Sequence, residues 1–129
     1  MSQYILLIYG PAEGGPSPEE MAAEMPRWNE YTQQLRDAGV MLAGEALEPA
    51  AAARTVRVRA GERRVTSGPV AATAELLGGY YVIDVADRGA AEEWAARIPN
   101  VTYGSVEVRP IMVFPESDPA TAGQATASA

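Results

Sequence analysis

The chain contains no cysteine, no histidine and no lysine. Each absence removes a kind of chemistry. Without cysteine there is neither a disulfide framework nor a thiolate nucleophile. Without histidine there is no imidazole acid or base, and zinc, which takes Cys or His ligands in nearly every site, is not expected. Without lysine there is no Schiff-base amine, which excludes pyridoxal-phosphate chemistry. A carboxylate-only site for Mg²⁺ or Ca²⁺ stays open, but neither a metal nor a cofactor is expected. The ten basic side chains are all arginines, set against seventeen acidic ones for a net charge of -7. An acidic chain is repelled by phosphate backbones and anionic bilayers, so no nucleic acid or membrane partner is expected. No apolar run approaches the roughly 20 residues of a membrane span. The opening Met1-Ser2-Gln3-Tyr4 lacks the basic n-region of a signal peptide, so a cytoplasmic location is expected. Any catalysis must carry protons on Asp, Glu or Tyr, with arginine clamping anions.

What is present suits one domain. The 129 residues are 47% hydrophobic, enough for a single core. Tyr4–Tyr9 reads as a strand apolar on both faces, ended by the glycines and prolines of residues 10–16. Ser17-Pro18-Glu19-Glu20 is a helix start: Ser17 caps, Pro18 suits the first turn and Glu20 closes a capping box. The helix is expected to reach Ala38, stop at Gly39, kink or restart at Pro26, and bury Trp28, Tyr31, Leu35 and Ala38. Val40–Leu47 reads as a second strand. Arg54–Arg59 and Arg63–Thr66 form a hairpin about Ala60-Gly61, with a solvated face of Arg57, Arg59, Arg63 and Arg64. A short helical piece over Ala71–Leu77 is expected before a strand at Tyr80–Val85. Asp87 caps a helix to about Arg97 that turns Ala91, Trp94, Ala95 and Ile98 inward, and Ser105–Phe114 is the last strand. Residues 1–115 make the folded domain, and 116–129, without periodicity, make a disordered tail.

This order predicts an α+β fold, a ferredoxin-like sheet with an extra β-hairpin. Two helices cover one sheet face. The strands are apolar on both, so a second copy of the sheet is expected on the other, making a homodimer.

Several stretches resemble the YCII-related proteins of the DGPF group: Tyr4–Gly10, Gly39–Leu47, Thr55–Arg59, Gly78–Asp84 and Val106–Pro110. Thr66-Ser67-Gly68-Pro69-Val70 occupies the place of that group's D-G-P-F motif. The resemblance spans about Tyr4 to Phe114 and implies a dimeric α+β barrel. Its superfamily includes cofactor-independent enzymes similar to muconolactone isomerases and dehalogenases, some using a His–Asp pair. It also includes stand-alone proteins encoded beside extracytoplasmic-function sigma factors. This chain departs from the group's pattern: Ser67 replaces the Asp, Val70 the aromatic, and Ala72 and Ala74 stand where Glu and Lys are common.

Candidate site residues follow from residue type and position. Glu45, after Gly44 on an apolar strand, is a candidate acid or base, or else sits solvated at a strand end or pairs with an arginine. Tyr80 and Tyr81 must point to opposite faces, one toward the helices and one toward the dimer interior; either is also a natural core residue, as is Tyr9. Glu107 and Arg109 share a face and can orient a ligand or simply pair with each other. Ser67 can open an anion-binding turn or a plain one. The expected catalytic set is Glu45, Tyr81 and Arg109, with Tyr9, Ser67, Tyr80 and Glu107 binding substrate. The function this implies is proton transfer on a small, mostly apolar oxygenated molecule: isomerisation, cyclisation, dehydration or lactone handling. The alternatives are a non-catalytic ligand-binding or accessory module, and a structural dimer that has lost its site.

Overall fold

The structure, a computed structural model, describes residues 1–71 and 73–114. Ala72 and the expected tail from residue 116 lie outside the described residues. The elements in order are β1 (Ser2–Pro11), α1 (Pro18–Asp37), β2 (Met41–Ala46), β3 (Arg54–Arg59), β4 (Glu62–Ser67), β5 (Glu75–Val85), α2 (Arg88–Ala96) and β6 (Ser105–Pro110). Single 3₁₀ turns lie at Ala50–Ala52 and Pro99–Thr102. Strands β2-β5-β1-β6 form one sheet in that order, every neighbouring pair antiparallel, and β3-β4 form a separate hairpin. This is the expected ferredoxin-like α+β arrangement with an inserted hairpin. No helix among the described residues is long and apolar enough to cross a membrane.

Local chemistry accounts for the helices. Ser17 Oγ accepts from Glu20 N at 3.1 Å and Glu20 Oε1 accepts from Ser17 N at 3.0 Å, completing the capping box. These hydrogen bonds, the one from the Ser17 backbone first, hold the Glu20 carboxyl below its ordinary range. Helix α1 does not restart at Pro26. Pro26 and Ala22, whose carbonyl loses its donor, are both exposed, so that carbonyl is open to solvent rather than buried unpaired. Gly39, with φ of 71°, ends the helix as expected. Asp87 caps α2 by accepting from Ala90 N at 2.9 Å.

The core fills the space between the helices and one sheet face. Tyr4, Leu6 and Ile8 of β1 and Tyr81, Ile83 and Val85 of β5 are buried there with Tyr31, Leu35, Ala91, Ala95 and Ile98. Tyr31 ties the layers together. Its hydroxyl donates to the Trp94 carbonyl at 2.8 Å, and its ring meets Tyr81 and Trp94 edge-on at 5.4 and 6.1 Å. Burial, then the neighbouring Tyr81, pushes the Tyr31 phenol well above its usual range, with Arg97 partly opposing. Ala38, expected inward, is exposed: the helix ends at Asp37 and Ala38 is its C-cap.

Three other expectations are corrected. Residues 75–77 are not helical: β5 begins at Glu75, where Tyr9, Gly10 and Pro11 offer Leu77, Leu76 and Glu75 a pairing strand. A free sheet edge outweighs the weak local helical pattern. In the hairpin, Arg63 opposes Val58 and so shares a face with Val56 and Val65, while Arg57 opposes Arg64 on the reverse. The last strand stops at Pro110 rather than reaching Phe114.

The hairpin turn places Ala60 at φ 53° and Gly61 at φ 77°. A left-handed alanine is strained, and Asn-Gly is the preferred pair for such a turn. Ala60→Asn is therefore expected to stabilise the fold by about 0.5–1 kcal/mol, read as a higher urea midpoint.

Candidate functional site

Strand alternation sorts the candidate residues between two faces. Tyr81 faces the helices, where its hydroxyl shares a 2.7 Å hydrogen bond with Thr32 Oγ1. The face away from the helices carries Glu45, Tyr80, Leu7 and Glu107 in one cross-strand row, each opposite the next in register. The adjacent row is Ala43, Val82, Ile5 and Arg109. The expectation that Tyr80 and Tyr81 diverge thus holds, with Tyr80 on the outer face. The expected catalytic set does not converge. Tyr81 is on the far side of the sheet, and Glu45 and Arg109 stand on its opposite edges, three strand spacings or roughly 14 Å apart. Arg109 donates to Glu107 at 2.5 Å.

The polar groups that do converge lie at the end of the outer face near the β1 terminus. A cleft of about 310 Å³ is lined there by Tyr9, Thr73, Glu75, Ser105, Val106 and Glu107. Ser105 Oγ donates to Glu75 Oε1 at 2.8 Å. The register explains how these side chains meet. Tyr9 opposes both Ser105 and Leu77, and a bulge at Gly78 shifts β5 by one residue. The extra residue restores phase, so that Leu77 and Glu75 fall on the same face as Tyr80. Gly104 lets β6 approach: a Cβ there would overlap the Tyr9 carbonyl oxygen.

Of the predicted residues, Tyr9 and Glu107 line this cleft. Tyr80 is half-buried beyond it, its hydroxyl oxygen enclosed and without a hydrogen-bond partner. Glu45 is exposed beside it, and Ser67 is exposed at the foot of the hairpin. Sequence reading missed Glu75 and Ser105. Ser105 was within reach, since it shares the period-two face of Glu107 and Arg109. Glu75 was not, because its placement depends on where β5 begins and on the Gly78 bulge. Among the described residues no three acidic side chains are gathered to hold a metal ion.

A second, open groove of about 610 Å³ runs between the start of α1 and Tyr103. Its Glu24 accepts from Trp28 Nε1 and from the Tyr103 hydroxyl, each at 2.8 Å. Burial and that carboxylate push the Tyr103 phenol up to about 12. Glu24 is thereby committed to holding the helix and the loop together.

The chain is matched over residues 1–115 by the model of a family described as the YCII-related domain. It is also similar to an uncharacterized protein of Rhizobium meliloti (strain 1021), 43% identical over 70 residues, 53% of this chain. The chain spans 56% of that relative's length.

Proposed function

This chain belongs to the YCII-related family, and from that premise we propose that it is a cytoplasmic, homodimeric small-molecule-binding protein that performs cofactor-independent proton transfer on its outer sheet face. The cleft at Tyr9, Glu75, Ser105 and Glu107 carries this reading: two carboxylates and two hydroxyls converge beside an apolar sheet surface. In a chain without histidine, carboxylates and phenols are the groups left to move protons. Glu107, oriented by Arg109, is the proposed base, and the Tyr9 phenol the donor to a developing oxyanion. Glu75, fixed by Ser105, binds a substrate hydroxyl. Tyr80 and Glu45 extend the same face toward the apolar part of the ligand. Isomerisation, cyclisation, dehydration and lactone opening all fit this set of groups.

Native mass spectrometry of the freshly purified protein tests binding first. A dimer retaining a small molecule is expected, and its mass sets the panel of lactones and enols to assay. Proton transfer then appears as exchange of the substrate's acidic C–H with D₂O. Glu107→Gln is expected to slow that exchange by about 100-fold or more, the usual worth of a positioned base. Unchanged exchange would remove Glu107 from the role.

A second reading, a binding module without turnover, is favoured by the commitments of Arg109 to Glu107 and of Tyr81 to Thr32. Ligand retained by the dimer, with no isotope exchange in any panel member, selects it.

A further inference from the structure

The β3–β4 hairpin is an arm with an uncovered apolar face. Val56, Val58 and Val65 lie on one side of it, with Arg63 among them, and are 59, 59 and 53% exposed. Its foot is pinned by Thr55 Oγ1, buried and donating to the Gly68 carbonyl at 2.8 Å. A two-stranded hairpin is marginal in water unless its apolar side packs on something. Its charge is as uneven as its burial. Residues 54–67 hold five of the ten arginines and one glutamate, a net +4, which leaves -11 on the rest of a chain whose total is -7. The four-stranded sheet shows the complement. Ile5, Leu7 and Val82 are only half-buried on its outer face, flanked by Glu45, Asp84 and Glu107. One Asp84 carboxylate oxygen is enclosed there without a hydrogen-bond partner.

We infer that the arm of one copy lies across the outer sheet face of a second copy, packing its valines on that face and bringing Arg63, which shares their side, to the candidate site. The inference rests on the homodimer reading and goes further, because it makes the site composite. Six-residue strands reach about 20 Å, enough to cross a sheet whose outer strands are roughly 14 Å apart. Opposite charge on arm and face favours encounter between copies over collapse of two like arms. The Arg63 guanidinium of the arm then provides the anion clamp that Arg109, engaged with Glu107, does not.

The absence of cysteine makes the test direct. Val58→Cys and Leu7→Cys chains are prepared separately, mixed and oxidised, so that any Val58–Leu7 disulfide joins two copies. A cross-linked heterodimer is expected, together with loss of dimer in Val58→Asp by native mass spectrometry and unchanged circular dichroism. If the unmodified chain is a dimer, yet no heterodimer link forms and Val58→Asp stays dimeric, the arm is not the bridge and only the homodimer reading survives. If the unmodified chain is a monomer, both fail.

Discussion

Tyr31→Ala is expected to cost about 4 kcal/mol, a large fraction of the stability of a domain this size. Three losses combine. A nearly solvent-free aromatic ring is deleted between α1, α2 and β5. Two edge-on contacts, to Tyr81 and Trp94, go with it. The Trp94 carbonyl loses its donor. Tyr31→Phe separates the last of these and should cost about 1 kcal/mol. It also has a pH signature. The folded chain raises the Tyr31 phenol, so folding favours its protonated form. That contribution is complete below the unfolded phenol value near 10 and falls away as pH rises above it. Tyr103, raised to about 12 by burial and Glu24, adds to the same alkaline loss. Urea midpoints across this range should therefore fall with pH, and fall less steeply in Tyr31→Phe. An identical slope in both proteins would show that Tyr31 titrates normally.

Gly104→Ala is expected to cost about 3 kcal/mol and to open the cleft. The added Cβ meets the Tyr9 carbonyl oxygen, and Asn100 Nδ2 at 2.9 Å. The first is backbone and cannot swing aside. Asn100 Nδ2 donates to that same carbonyl at 3.2 Å, and Gly104 N donates to the Asn100 carbonyl at 2.7 Å. Relief must therefore come from parting β6 from β1 where Tyr9 opposes Ser105, which moves Ser105 from Glu75. Faster amide exchange at the Tyr9–Ser105 end of the pairing, with the Tyr4–Pro110 end unchanged, is the expected pattern. Gly10→Ala is the control, because a Cβ there meets nothing within 4 Å. Gly→Ala by itself lowers the entropy of the unfolded chain and stabilises, so equal losses in the two variants would rule out crowding at Gly104 as the cause.

The sequence alone determined the elements that depend on near neighbours. The capping box at Ser17, the stop at Gly39, the turn at Ala60-Gly61 and the cap at Asp87 are written in adjacent residues. The two-sided apolar character of β1 was legible too, but the central place of β1 and β5 in the sheet comes from strand pairing. Alternation alone also required Tyr80 and Tyr81 to diverge, and Glu107 and Arg109 to share a face. The sequence could not say which tyrosine faces outward, because that depends on which side the helices pack. Tyr81, named in the expected catalytic set, lies on the helix-covered face for this reason, apart from Glu45 and Arg109. Nor could it place Glu75 in the cleft. That needs β5 to start five residues before Tyr80 and a bulge at Gly78 to shift the phase, and both are settled by pairing with β1, more than sixty residues earlier. Local side-chain chemistry decides caps and turns; only the register of distant strands decides which polar groups meet.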